Sequence, residues 1–412
     1  MMVVLGLTFG FVFFDRNAMS YLAPFVAADL HLSNTQIGML SSALSLTWAI
    51  SGYAIGALSD ATGRRKSILV AAVIVFSLCS IGSGLATSFA ILLASRLLMG
   101  LSEGGILPIS QSLVAMESSE KRRGLNMGVM QNFGSNLLGS FVAPLALVAI
   151  ANAYEWRTAF FVAAVPGLIC AVLVAKIIRE PKLALPSRDT HARVPGGKIP
   201  LRELFRFRNM WLCVLISCFM VAWMVLGWAF LPLFYVRVRD IEPSDMSLLM
   251  SVLGVSATLC SFLVPGLSDR FGRKPIMILF CLIGLLCPLA ALHYNGPLPV
   301  LGALIFIGWS ASGTFPIFMA TIPSETIPAR HVATALGIVM GIGELSGGFL
   351  GPTIAGWAAD RYGLQAPVSM MSACALIATF FALFLRETAP VKIGRREQQA
   401  LPATSAPNPN GP

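Results

Sequence analysis

The chain has 412 residues, of which 56% are hydrophobic and only 12% are charged. Ordinary soluble domains carry about 25% charged residues, so this composition excludes a typical soluble enzyme or binding module. The net charge is +10, but the basic residues stand in short groups between apolar runs. That arrangement is typical of membrane-protein loops and argues against a nucleic-acid-binding face, so we expect a lipid bilayer and no nucleic acid as a partner.

Twelve segments are long enough to cross a bilayer as helices, which predicts an all-α integral membrane protein. They lie near residues 3–27, 35–58, 67–86, 89–115, 124–150, 157–178, 210–236, 245–266, 275–292, 299–321, 331–358 and 365–385. Ser33 and Asn34 precede the second segment, and Pro243 and Ser244 precede the eighth, as expected at helix starts.

Basic residues are concentrated in alternate loops. One set of loops contains Arg64–Lys66, 121–123 and Arg270–Lys274, together with the long central connection. The opposite set contains only Arg157, Arg237, Arg239 and Arg361. Because cytoplasmic loops are enriched in lysine and arginine, we predict a multi-pass protein of a bacterial inner membrane with both termini in the cytoplasm.

The two halves of the chain repeat each other. Ser102–Ile109 aligns with Ser310–Ile317, and Leu58–Asp60 recurs as Leu267–Asp269. A duplication of six helices predicts two pseudo-symmetric bundles with a site between them near mid-membrane. We place the N-terminal bundle at 1–180, a cytoplasmic linker rich in proline and glycine at 181–209, the C-terminal bundle at 210–388 and a disordered tail at 389–412.

Asp15, Arg16 and Asn17 interrupt the first apolar segment. At 1.5 Å per residue, Asp15 lies about 20 Å along the helix, near the middle of a ~30 Å hydrocarbon core. A charge at that depth costs at least ~2.5 kcal/mol, so it normally faces a cavity or a partner. Consecutive helical residues diverge by about 100°, so Asp15 and Arg16 cannot both be explained as each other's partner. They either tie helices together or take part in binding and proton handling.

Arg96 and Glu103 add a second charged pair, in the fourth segment. Seven residues make two helical turns, which puts both side chains on one face about 10 Å apart. Burial favours a neutral carboxyl group and a nearby arginine favours a charged one, so an arriving anion can alter protonation. Glu344, within a glycine-rich run of the eleventh segment, is a further candidate for proton coupling or else a packing residue.

Aromatic and amide side chains surround these charges in the predicted helices. The candidates for lining a binding cavity are Asn17, Trp48, Gln131, Asn132, Trp309 and Ser310. Aromatic walls with a few amides suit a small organic acid, although each residue alone could serve packing. The spans contain no nucleophile–base pair, metal spacing or phosphate-binding glycine motif, so we expect no enzyme activity, no metal and no cofactor.

Two loop motifs carry a family resemblance. Gly56, Asp60, Gly63 and Arg64 stand at the spacing Gly-x-x-x-Asp-x-x-Gly-Arg, and Asp269, Arg270, Gly272 and Arg273 form a second copy. Each lies between the second and third helix of its half, and this pattern resembles the loop signature of the major facilitator superfamily. An aspartate at a helix end can pair with arginines and latch one side of the protein. Ala61 and Pro265 depart from the signature at two positions.

Within that superfamily the chain looks most like the anion:cation symporter family, through Asp15–Asn17, Arg96, Glu103 and the run Glu155–Phe161. The resemblance implies that Arg16 binds a substrate carboxylate, that Asp15 and Glu103 carry protons, and that Arg96 adjusts one of these acids. We therefore expect a monomeric, proton-coupled importer of a small organic carboxylate such as a sugar acid or an aromatic or dicarboxylic acid. A proton-coupled exporter of drugs or metabolites is the alternative, and a non-transporting sensor is a third reading.

Overall fold

The computed structural model describes residues 1–118, 130, 134–178, 180, 206–328 and 331–392, apart from the side chains of Tyr53, Asp60, Ala115, Glu117 and Ala333. Within these residues, eleven helical segments are long and apolar enough to cross a membrane. Helix α2, Asn34–Thr62, is a further long helix that is less apolar. The eleven segments are α1 Met2–Asp29, α3 Arg65–Gly84, α4 Phe89–Val114, α5 Ser135–Ala153, α6 Trp156–Ile177, α7 Arg208–Arg237, α8 Pro243–Phe271, α9 Arg273–His293, α10 Leu298–Thr326, α11 Thr334–Tyr362 and α12 Gln365–Leu383.

Helix α2 is the additional member of this set. Its serine, threonine and glycine residues lower its hydropathy, but its 29 residues extend about 43 Å, which exceeds the thickness of the hydrocarbon core. It begins at a capping box, as its sequence predicts: the Ser33 hydroxyl accepts from the Gln36 N–H at 3.1 Å, and the Ser33 N–H donates to the Gln36 side chain at 3.0 Å. All twelve predicted spans therefore have a helical counterpart among the described residues.

The helices pack as two similar bundles. In the first half α1 packs on α5, α2 on α4 and α3 on α6; in the second half α7 packs on α11, α8 on α10 and α9 on α12. The halves meet where α2 packs on α11, α5 on α8 and α1 on α7. The predicted all-α architecture of two pseudo-symmetric six-helix bundles is confirmed.

The duplication extends to irregular backbone. A π-helical segment opens α5 at Ser135–Val142, and another occupies the matching part of α11 at Glu344–Leu350. His31 after α1 and Asp240 after α7 each adopt a positive φ of 49°, a conformation that few non-glycine residues take. Both halves therefore have irregular backbone at matching positions. The π-helical segments of α5 and α11 contact the other half, on α8 and α2 respectively.

Paired glycines explain how the first helix of each half approaches the fifth. A Cβ on Gly139 would lie 2.5 Å from the Phe13 Cβ, and a Cβ on Gly347 would lie 2.9 Å from the Val221 Cβ. Side chains at these positions would push α1 from α5 and α7 from α11, because small residues permit close contact between membrane helices.

Most of the predicted linker and tail lies outside the described residues, at 181–205 and 393–412. Helix α7 begins at Arg208 and α12 ends at Leu383. The domain boundaries and the disorder of the tail remain predictions.

Candidate functional site

The charged residues predicted from the sequence converge in the first half. Asp15 is fully buried, and its Oδ1 lies 2.7 Å from the Ser80 hydroxyl, while Oδ2 has no partner among the described residues. The same hydroxyl lies 3.0 Å from the Phe160 carbonyl. Ser80 can donate to an ionised Asp15, or accept from a protonated one while donating to Phe160. Both protonation states of the carboxyl group are therefore accommodated without rearrangement.

Arg96 lies behind this pair and is 1% exposed. Its Nη2 donates to the Ser83 hydroxyl at 2.7 Å, and its guanidinium lies over the Phe160 ring at 5.6 Å. Nε and Nη1 have no partner among the described residues. A buried guanidinium needs compensating charge, which Asp15 and Glu103 provide through electrostatic interaction with it.

Arg16 connects this cluster to the space between the bundles. Its Nη1 lies 3.3 Å from Glu103 Oε2, and the two side chains are 19% and 1% exposed respectively. The guanidinium also lies 5.3 Å from the Trp48 ring and 5.5 Å from the Phe13 ring. Arg16 is thus held between a buried carboxylate and aromatic faces, with part of its charge still accessible.

Two side chains of α1 form hydrogen bonds with the π-helical segment of α5. The Gly139 carbonyl accepts from Asn17 Nδ2 at 3.1 Å and from the Tyr21 hydroxyl at 3.0 Å. A π-helical turn changes the regular hydrogen-bond ladder and is frequent at functional sites. The Asn17 amide is thus engaged with backbone, and Tyr21 is a member of the site that the sequence analysis did not identify.

A cavity lies between the two halves at this level. Its lining combines residues of α1, α2, α4 and α7: Arg16, Asn17, Met19, Ser20, Leu40, Ser41, Leu44, Ser45, Arg96, Val225, Trp228 and Ala229. The predicted residues Arg16, Asn17 and Arg96 are therefore brought together at one cavity.

Trp228 provides an aromatic wall that the sequence analysis missed. Its ring packs against Trp309 at 5.1 Å and against Tyr21 at 6.2 Å. Trp309, predicted to bind substrate, is fully buried behind it and also contacts Trp223 at 4.6 Å. Helix α7 carries three tryptophans, Trp211, Trp223 and Trp228, and is apolar on every side, so the sequence did not single out Trp228.

The remaining predicted residues have varied positions. The Ser310 hydroxyl donates to the Ile307 carbonyl at 2.6 Å within its own helix. Glu344 opens the π-helical segment of α11 and is close enough to Arg16 to interact electrostatically. Gln131 and Asn132 lie outside the described residues. The roles assigned to these residues remain predictions.

The second loop motif forms an ion-pair network. Arg273 Nη1 lies 2.5 Å from Asp269, and Nη2 lies 2.9 Å from Glu325. Gly272 turns the chain with a φ of 105°, and Gly63 does the same in the first copy with 67°, which explains glycine at both motif positions. Arg270 and Arg64 are exposed. Gly56 is partly buried, and the Asp60 side chain is not among those described.

Two glutamates complete these loops and were missed from the sequence. Glu180 accepts from the N–H groups of Lys66 at 2.9 Å and Ser67 at 3.2 Å. Glu387 likewise accepts from the N–H groups of Arg273 at 2.7 Å and Lys274 at 3.2 Å. Each carboxylate thus supplies acceptors to unpaired N–H groups at the start of α3 or α9. Arg-Glu recurs at the end of each half, which was the signal available in the sequence.

Comparison with known proteins identifies the architecture. The family model of the Major Facilitator Superfamily matches residues 5–349, with a second match over 228–409. The chain belongs to the Major Facilitator Superfamily. As a member of this superfamily it is an integral membrane transport protein and not an enzyme.

Two curated relatives and one solved structure extend this result. The "Probable 4-methylmuconolactone transporter" of Cupriavidus pinatubonensis is 28% identical over 342 residues, covering 81% of this chain and 78% of the relative. The hexuronate transporter of Bacillus subtilis is 34% identical over 192 residues, covering 46% and 45%. A bacterial homologue of the human lysosomal transporter Spinster, in an inward-facing and occupied conformation, has a TM-score of 0.75 at 21% identity, covering 93% of this chain and 95% of the homologue. This likeness concerns the fold alone.

Proposed function

We propose that this member of the superfamily imports a small organic carboxylate together with one or more protons, by alternating access. The observation that carries the proposal is the contact between Arg16 and Glu103 at 3.3 Å, beside a cavity between the two halves. The relatives named as transporters of a muconolactone and of hexuronates support an organic acid as the cargo.

Coupling between proton and substrate follows because the substrate carboxylate and Glu103 compete for the guanidinium of Arg16. The planar fork of arginine suits a carboxylate, so an incoming anion displaces Glu103 from Arg16. Glu103, 1% exposed, then loses the positive charge that stabilises its ionised form. A buried carboxylate without a partner is costly, so substrate binding favours proton uptake at Glu103. Uptake of one proton at Glu103 for each bound monoanion leaves the net charge of the Arg16–Glu103 site unchanged.

Asp15 is the second proton carrier in this proposal. Ser80 hydrogen-bonds its carboxyl group, and Arg96 interacts with both Asp15 and Glu103. A proton on either acid changes how strongly Arg96 is held by the other. Glu344 lies on the opposite half within electrostatic reach of Arg16, and we assign it a part in proton coupling.

We place both termini in the cytoplasm of a bacterial inner membrane, because the basic loops then lie inside. Contacts between the halves include Ser42 with Thr353 at 2.8 Å and Ser251 with the Phe141 carbonyl at 3.0 Å. Ser42 and Thr353 lie in the portions of α2 and α11 nearer the α1–α2 loop. That loop is extracellular in this orientation, so the α2–α11 contact lies towards the extracellular side. We expect a monomer to suffice, since the cavity is built within one chain.

The test is proton movement in proteoliposomes that contain the purified protein and a pH-sensitive dye. We expect alkalinisation of the outer medium when one class of carboxylic acid is added there, and no signal with Arg16→Ala. Arg361→Ala, an exposed arginine at the end of α11, is the matched control and should behave as wild type. Proton release coupled to neutral or cationic drugs, with no response to acids, would instead show an exporter.

A further inference from the structure

The cavity beside Arg16 has two chemically different faces. The first half contributes Arg16 and the hydroxyl groups of Ser20, Ser41 and Ser45, beside apolar side chains. These apolar side chains are Met19, Leu40 and Leu44. The wall from the second half consists of Val225, Trp228 and Ala229, which offer no charged group. A ligand that satisfies both faces has an anionic end with hydrogen-bonding capacity and an apolar body.

The charges around the cavity favour a single anionic group. Arg16 is the partly accessible cation, with 19% of its side chain exposed, whereas Arg96 is 1% exposed and bonded to Ser83. A second carboxylate on the ligand would face the apolar wall of Val225, Trp228 and Ala229, and desolvation without a partner would oppose its binding.

The Trp228 ring is held by contacts with two other aromatic side chains. It packs edge to face on Trp309 at 5.1 Å and on Tyr21 at 6.2 Å, and the Tyr21 hydroxyl is itself bonded to the Gly139 carbonyl at 3.0 Å. An aromatic side chain held in this way presents a preformed surface, which lowers the entropic cost of binding. Aromatic surfaces of this kind favour offset or edge-to-face contact with another ring.

We propose that the cargo is a monocarboxylate bearing a flat, largely apolar ring, and that Trp228 selects for that ring. This inference rests on the proposed transport of organic acids and narrows it. Sugar acids present hydroxyl groups around the whole molecule, and those facing Val225 and Ala229 would lose water without gaining a described partner. Dicarboxylates carry a second charge that the apolar wall cannot pair.

The experiment compares uptake of radiolabelled benzoate, glucuronate and phthalate in proteoliposomes with an inward proton gradient. Wild type should take up benzoate, an aromatic monocarboxylate, and discriminate against glucuronate and phthalate. Trp228→Ala should raise the KM for benzoate about tenfold with little change in maximal rate. Trp228→Phe should restore most of the affinity, because it retains a ring. Trp357→Ala, a tryptophan that is 53% exposed on α11, should match wild type.

The possible outcomes separate this inference from the broader function. Uptake of glucuronate that depends on Arg16, without uptake of benzoate, would overturn the inference and leave organic-acid transport standing. An unchanged KM in Trp228→Ala, or a fall in maximal rate alone, would show a packing role and also overturn it. If no acid is transported, the proposed function fails, and the inference fails with it.

Discussion

Asp360 in α11 caps the first turn of α2 across the interface between the two halves, through Thr35. Its carboxylate accepts from the Thr35 N–H at 2.9 Å and from the Thr35 hydroxyl at 2.5 Å, and it also accepts from the Asn34 N–H at 2.8 Å. The backbones approach closely here, because a Cβ on Gly38 would overlap the Pro352 carbonyl. This carboxylate therefore links the bundles at the end of the cavity that lies beside the α1–α2 loop.

Replacing Asp360 with alanine should loosen that link. Two N–H groups at a helix start lose a charged acceptor, an interaction of about 1–2 kcal/mol. We expect hydrogen–deuterium exchange of the Asn34 and Thr35 amides to accelerate about tenfold or more. Asp245→Asn, at the same end of the bundle in the first turn of α8, is the control. Unchanged exchange in Asp360→Ala would mean that helix packing alone closes this end.

Glu103→Gln tests the coupling between proton and cargo. Glutamine resembles the protonated acid, so Arg16 remains available to the anion but no proton is carried at this position. We expect exchange of labelled for unlabelled substrate to persist, while accumulation driven by a proton gradient falls at least about tenfold. Both are measured in the same proteoliposomes. Glu155→Gln, at an exposed position before α6, serves as control, and full accumulation in Glu103→Gln would assign Glu103 a purely structural role.

Much of the architecture could be predicted because its signals lie along the chain. The length of the apolar segments predicts the membrane-spanning helices, and the internal sequence repeat predicts two similar bundles. The cost of charge at mid-membrane singles out Asp15, Arg16 and Glu103 as residues that need partners. Arg16 and Glu103 are indeed in contact at 3.3 Å, and Asp15 is hydrogen-bonded to Ser80 at 2.7 Å.

Contacts between distant segments could not be predicted in the same way. Helix α7 is apolar all round, with buried residues on every face, so no pattern distinguishes Trp228 at the cavity from Trp223 in the core. In the sequence, Asp360 is an acidic residue near a helix end with no sign of a partner. Its contacts with Asn34 and Thr35 of α2 appear only in the folded structure. Glu180 follows a helix that ends far in sequence from Lys66, and only the folded bundle brings them together.

Glu387→Ala should destabilise the second bundle. The side chain supplies both oxygens to the start of α9, on Arg273 at 2.7 Å and Lys274 at 3.2 Å. Removing a charged cap of this type should lower the free energy of unfolding by about 1–2 kcal/mol, measured by SDS titration in mixed micelles. Glu242→Ala is the comparison, since Glu242 stands at the N-cap of α8 without a side-chain cap hydrogen bond. Equal stability of the two variants would refute a capping role for Glu387.

Two glycines of α11 provide a direct test of close helix packing. A Cβ on Gly347 would lie 2.8 Å from the Cys218 carbonyl of α7 and closer still to the Ala222 N, whereas a Cβ on Gly341 would meet nothing within 4 Å. Gly347→Ala should therefore destabilise the protein by about 1–3 kcal/mol, the usual cost of overpacking. Gly341→Ala should be neutral or stabilising by up to about 1 kcal/mol, because alanine restricts the unfolded chain. SDS titration of both variants gives the comparison. An equal loss in both variants would contradict the close α7–α11 contact as the reason for glycine at position 347, because helix propensity favours alanine at each site. Only a loss confined to Gly347→Ala supports that contact.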